Sequence, residues 1–268
     1  MRRWRPSLQG FPVAEPGHLL EARSISKRFG GITALHDISL AIDAGQILGL
    51  VGPNGAGKTT LFNCLNGQLH PEQGNIWFDG VQLDGMPAYK RARLGIGRTF
   101  QRIEVFPALT VLDHMLIAAR ARTGDARLWR DLLNRSKPTK DELSRAEFIL
   151  ELVGLTDVAN TIVAALSLGH CRLVELGRAL VTEPRLLMAD EPSSGLDVRE
   201  TEALARAVCQ VRENEGTAII LVEHDLEMVA QVVDSVIVLD FGQEIARGRL
   251  DEVLSDATVR HAYLGKTA

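Results

Sequence analysis

The sequence predicts an α/β fold in which a parallel sheet is covered on both faces by helices and a helical subdomain is inserted between its strands. Three observations predict it. The apolar run Ile47-Leu48-Gly49-Leu50-Val51 feeds a glycine-rich loop, residues 52–59, that opens a helix at Lys58. Between residues 186 and 239 short apolar runs alternate with helical patterns, as strands buried on both faces require. From Val111 to Leu180 the spacing turns helical, with Leu143, Ala146, Leu150 and Val153 recurring near one face.

Residues 1–18 carry Pro6, Pro12, Pro16, Gly10 and Gly17 and read as a flexible N-terminal tail. Its start is basic through Arg2, Arg3 and Arg5 but lacks the apolar stretch of a secretory signal. A solvated tail is preferred there to a lipid contact. Short β-like runs follow at 19–28, 38–42 and 46–52, then a helix at 58–68 and strands at 75–79 and 96–101. After the helical stretch come a strand at 186–189, a helix at 198–212, a strand at 217–222, a helix at 226–233 and a strand at 236–239. The segment 120–140 is basic, with Arg120, Arg122, Arg127, Arg130, Arg135, Lys137 and Lys140 against Asp125 and Asp131. A solvated helical face is preferred to contact with a membrane partner.

Bulk properties exclude several function classes. A formal net charge of −4 gives no argument for nucleic-acid binding, which favours basic domains. Aromatics at 5% provide no base-stacking platform. Cys64, Cys171 and Cys209 are far apart and form no metal-binding spacing, which suits a reducing cytoplasm. No stretch approaches the roughly 18 apolar residues of a membrane span.

The loop reads Gly52-Pro53-Asn54-Gly55-Ala56-Gly57-Lys58-Thr59, followed by Thr60. Its glycines permit backbone that a Cβ opposes, so successive N–H groups point inward at phosphate oxygens. The helix beginning at Lys58 adds its positive end. Lys58 reaches the β- and γ-phosphates, and the Thr59 hydroxyl ligates Mg²⁺. A chain with this loop behind an apolar strand binds a nucleoside triphosphate.

A second apolar run, Arg185-Leu186-Leu187-Met188-Ala189, ends in Asp190 and Glu191. An acid at a strand end beyond a phosphate loop holds Mg²⁺, and a second beside it orients or deprotonates the attacking water. Asp190 and Glu191 are expected in those roles. A third run, residues 217–222, leads to His224, placed to hydrogen-bond a γ-phosphate.

In this order the motifs resemble the ATP-binding cassette of ABC transporters. The resemblance covers about residues 19–265, with a helical subdomain inserted at about 102–182, and implies a P-loop core joined to an antiparallel β subdomain. It makes Gln101, in Arg98-Thr99-Phe100-Gln101, the Q-loop glutamine that contacts Mg²⁺ and links nucleotide to the membrane subunit. It makes Ser194-Gly195-Leu196-Asp197 the D-loop and Phe29 the aromatic that stacks on adenine; a buried core Phe is the alternative. Leu166-Ser167-Leu168-Gly169-His170 stands at the signature, usually Leu-Ser-Gly-Gly-Gln. Leu168 and His170 depart from it, while Ser167 and Gly169 remain for the γ-phosphate of a partner's ATP, and a helix at 171–182 follows.

The resemblance therefore implies ATP and Mg²⁺, a second ABC ATPase subunit, integral permease subunits and, indirectly, an extracytoplasmic solute-binding protein. It implies no nucleic acid, and a cytoplasmic place on the inner face of the cell membrane. The wording Arg98-Thr99-Phe100-Gln101, the long stretch before Leu166 and the ending Ala262-Tyr263-Leu264-Gly265 look most like an ATPase subunit of branched-chain amino acid uptake. ATPases of lipopolysaccharide or lipid export and of amide or urea uptake share parts of these features. A soluble cassette protein is the reading from another class.

Overall fold

The computed structural model describes residues 17–99, 104–123 and 138–264. An antiparallel sheet comes first. Strands β1 (Leu20–Phe29) and β2 (Ile32–Ile42) form a hairpin, joined by β4 (Gln73–Phe78) and β5 (Val81–Gln82) in the order β2-β1-β4-β5. The expected strand at 38–42 thus extends back to Ile32, because the turn Gly30-Gly31 returns the chain directly alongside β1.

The second sheet has six strands. These are β3 (Ile47–Val51), β6 (Ile96–Arg98), β7 (Leu186–Asp190), β8 (Ala218–Val222), β9 (Ser235–Asp240) and β10 (Gln243–Gly248), ordered β10-β9-β3-β8-β7-β6. All are parallel except β10 at the edge. Every residue of β3, β7 and β8 is buried, which explains why these runs are apolar throughout except for Asp190 at the carboxyl end of β7. The carboxyl ends of five parallel strands share one edge, and in open α/β sheets ligands bind outside that edge.

Helix α1 (Lys58–Asn66) stops two residues before the expected Gln68, because Gly67 at φ 84° caps it. Helix α2 (Ala88–Leu94), with no counterpart among the expected elements, ends at Gly95. Its Arg91 is wholly buried and donates to the carbonyls of Cys64, Leu65, Leu83 and Met86 at 2.8–3.0 Å. It thereby closes the end of α1, and burial lowers its guanidinium to about 10.

Between β6 and β7 lie α3 (Val111–Thr123), α4 (Lys140–Leu152) and α5 (Leu168–Leu180). Thr139 and Glu142 form a capping box at α4. Helix α5 begins at Leu168 and not at Cys171, because Ser167 caps it. Val111, Met115, Ala146, Ile149, Val174 and Leu180 share one apolar cluster with Leu187, Ile219 and Leu221, so this helical group packs on one sheet face. Met188, Ile220, Leu50 and Leu239 point to the other face, toward Leu61, Phe62 and the antiparallel sheet.

Past β7 come α6 (Val198–Glu215), α7 (Leu226–Val232), α8 (Leu250–Ser255) and α9 (Ala257–Leu264). The last two and β10 extend the fold beyond the expected elements, and Tyr263 packs with Val51, Val238 and Val259. Among the described residues no helix is long and apolar enough to cross a membrane. Residues 1–16 of the N-terminal tail, most of the basic segment and Gly265 lie outside the described residues.

Candidate functional site

The glycine loop leaves β3 through Gly52, whose φ is 143°. A Cβ there would lie 2.1 Å from the carbonyl oxygen of Leu239, so only glycine fits against β9. Gly57, at φ 102°, is the N-cap of α1, and a Cβ would stand 2.7 Å from the Ala34 carbonyl. No side chain caps this helix and no acid occupies its first turn. Its first N–H groups and positive dipole end are therefore open to an external anion. The Lys58 ammonium, almost fully buried, donates to the carbonyls of Gly52 at 2.6 Å and Pro53 at 3.0 Å. It is held inside the loop's curve, where phosphate charge would be met.

The loop opens on a cavity of about 350 Å³ lined by residues 54–60, Ile32, Thr33, Ala34, Glu191, Phe241 and Gly242. The elements behind this wall explain the convergence. Strand β8 lies between β3 and β7, with Leu50 and Asp190 both paired to Val222. The residues that follow these strands therefore emerge side by side.

Asp190 is 2% exposed, and its Oδ1 has no hydrogen-bond partner among the described residues. Burial pushes its carboxyl above the usual carboxylate range; Arg98 and Lys58 oppose the rise, while Glu191 and Glu223 add to it. An orphaned, buried, anionic oxygen beside an exposed threonine-bearing loop suits a divalent cation, and magnesium takes one or two protein ligands with phosphate oxygens and water. Thr59 and Asp190 fit that donor set. Gln101, expected to complete it, lies outside the described residues.

Glu191 has φ 47°, in the left-handed region unusual for a residue with a Cβ, and its N–H donates to Val222 O at 2.8 Å. Such strain is held where surrounding structure over-determines it, and here it turns the carboxylate into the cavity wall. His224 follows β8 at the same edge and is exposed, with Nδ1 3.9 Å from Glu223 Oε2. It does not line the cavity. Glu223, which sequence reasoning passed over, is fully buried and accepts from the N–H of Ser193 at 2.8 Å and of His224 at 3.1 Å. It ties the chain after β7 to the chain after β8.

Phe29 ends β1, about half exposed, with Lys27 Nζ 5.4 Å from its ring centroid. It does not line the cavity; its hairpin partner Ile32 does.

Ser167 and Gly169 form a separate cluster, outside this cavity. Ser167 caps α5 by accepting from His170 N–H at 3.2 Å, and His170 Nδ1 lies 3.1 Å from its Oγ. The Glu200 carboxylate stands over this helix end, accepting from Ser167 Oγ at 2.9 Å and Gly169 N–H at 3.1 Å. Glu200 also closes a capping box with Asp197 at the start of α6. The spacing Asp197-x-x-Glu200 marks a helix start in the sequence, but nothing there shows that the Glu200 carboxylate also reaches Ser167 and Gly169.

The chain is similar to known proteins along most of its length. The model of the ABC transporter family matches residues 35–194. The chain is 35% identical to the high-affinity branched-chain amino acid transport ATP-binding protein BraF of Pseudomonas aeruginosa, over 92% of this chain and 98% of that one. It is 36% identical to the corresponding protein LivG of Escherichia coli, with the same coverage. A crystal structure of the ADP conformation of an ATP-binding cassette of an ABC transporter superposes with a TM-score of 0.82 at 31% identity, covering 93% of this chain and 100% of the other.

Proposed function

The chain belongs to the ABC transporter family as an ATP-binding, ATP-hydrolysing subunit, and on that premise we propose that it energises import of branched-chain amino acids. One observation supports the assignment most. The phosphate loop, Asp190, Glu191 and His224 emerge at one sheet edge in a chain that spans 98% of two relatives named for that transport.

In the proposed mechanism, residues 52–60 wrap the triphosphate with backbone N–H groups while Lys58 meets its β/γ charge. Bound Mg²⁺ supplies charge neutralisation at the phosphates, held by Thr59, Gln101 and Asp190. Glu191 orients water and accepts its proton. His224 hydrogen-bonds the γ-phosphate and senses its departure, and Phe29 stacks on adenine. Ser167 and Gly169 meet the γ-phosphate of ATP bound to a second cassette, taking it in place of the Glu200 carboxylate. Two cassettes close on ATP and reopen after hydrolysis. Nucleotide drives the permease subunits only through its different affinities for the two states.

The same reading puts the chain in the cytoplasm, peripheral on the inner face of the cell membrane. Its partners are a second ATPase, integral permease subunits and, through them, an extracytoplasmic solute-binding protein. The test is radiolabelled leucine uptake in a strain without redundant transporters. A Glu191→Gln strain should transport no better than a deletion strain. Unchanged uptake of leucine, isoleucine and valine in both would reject the solute and leave the ATPase intact.

A further inference from the structure

None of the chemistry assigned above uses Phe241, yet its position is costly. The β9–β10 hairpin closes through Phe241 and Gly242, with φ of 44° and 76°. Two-residue hairpins with both central φ values positive favour Asn, Asp or Gly first and Gly second, because a bulky L-residue is strained there. Here the first residue is an aromatic, and it is 75% exposed. One position thus carries both a conformational and a solvation cost.

The surrounding backbone holds it there. Gly242 N–H donates to the Ala56 carbonyl of the phosphate loop at 3.0 Å, and Gly242 O accepts from His36 N–H at 2.8 Å. A Cβ on Gly242 would meet Ala34 O at 2.6 Å. Pinned between the loop and β2, the turn keeps Phe241 in the wall of the cavity that also contains Lys58, and Ile32, 73% exposed, shares that wall. A strained aromatic kept at the rim of a ligand cavity is a contact surface for a flat ligand group.

We propose that Phe241 is a base-contacting residue of the nucleotide site, packing its ring on the purine while residues 54–60 hold the phosphates. The proposal rests on the phosphate-loop reading. Stacking on an aromatic tolerates base identity, so adenine and guanine nucleotides gain alike, whereas a ligand with no base gains nothing.

The test measures binding of MgATP and of Mg²⁺ with inorganic triphosphate to the full chain. Phe241→Ala should weaken ATP by roughly 5- to 150-fold, the range of one base–aromatic stack, and leave triphosphate unchanged. Phe241→Trp should retain ATP affinity. Phe241→Gly should lose ATP affinity like the alanine variant while melting at or above the parent, since glycine relieves the positive φ. ATP affinity equal to the parent's in Phe241→Ala would overturn the proposal. So would equal losses for ATP and triphosphate, which would make Phe241 a prop for the loop. Lys58→Ala separates the two readings: it weakens triphosphate and ATP together if the loop binds phosphate, with Phe241 intact.

Discussion

Replacing Asp190 with Asn should make the nucleotide-free protein more stable and remove its response to Mg²⁺. The carboxylate is 2% exposed and one oxygen lacks a partner, so its negative charge is held at a cost. An unsatisfied buried polar group costs about 1–3 kcal/mol, more when charged. Arg98 and Lys58 offset part of that. A net gain of about 1–2 kcal/mol for the neutral isostere follows, and at about 2–4 °C per kcal/mol for domains of 150–250 residues the melting temperature should rise by about 2–8 °C. The pH dependence has a defined sign. Because burial raises the Asp190 pKa, the folded state binds its proton more tightly than the unfolded chain does. The parent has that stabilisation in full below the ordinary value of 3.8 and loses it as pH rises through the elevated value. The Asn variant's advantage should therefore vanish in acid and grow towards neutrality. Scanning calorimetry with and without MgATP reads both effects. Parent stability should rise with MgATP, by about 2.7 kcal/mol at a hundredfold excess over Kd, and the variant should lose the Mg²⁺-dependent part. A variant that melts at or below the parent at neutral pH without nucleotide would refute the argument that this carboxylate is held at a cost.

Three further predictions follow from the same geometry. Lys58→Ala should weaken MgATP binding at least about tenfold, since a charge-assisted contact is lost; near-parental affinity in a direct binding assay contradicts it. Glu191→Gln should bind ATP and lose about 10²- to 10⁴-fold in steady-state phosphate release, the usual contribution of a general base, and unreduced turnover would remove Glu191 from that role. Arg91→Met should destabilise the fold by about 3–5 kcal/mol, because four buried carbonyls lose a charged donor; an unchanged urea midpoint would show that water replaces it without cost.

What the sequence determined by itself was whatever depends on neighbours along the chain. Residues 52–59 are legible because phosphate binding there is backbone chemistry, with glycines at positive φ followed by a helix start. The strands β3, β7 and β8 are legible because burial on both faces leaves them apolar, with Asp190 only at the last position of β7. Helix ends were read less well, since Gly67 and Ser167 set them through local caps that an apolar pattern does not register. Short elements such as α2 and β10 were missed because the burial that makes them comes from distant segments: Arg91 of α2 is stabilised by carbonyls 26 and 27 residues away.

The tertiary structure alone decided which of these pieces meet. Strand order places β8 between β3 and β7, and so brings residues near 52, 190 and 223 to one edge although long stretches of chain separate them. Only packing shows that Asp190 is buried with an unpaired oxygen, and that Glu200 rests on the helix start at Gly169. Only packing shows that the cavity wall includes Ile32 and Phe241, with Phe29 outside it. Local sequence sets backbone propensity and periodicity. Desolvation, charge pairing and cavity shape are sums over residues remote in the chain, and they exist only once the sheet has closed.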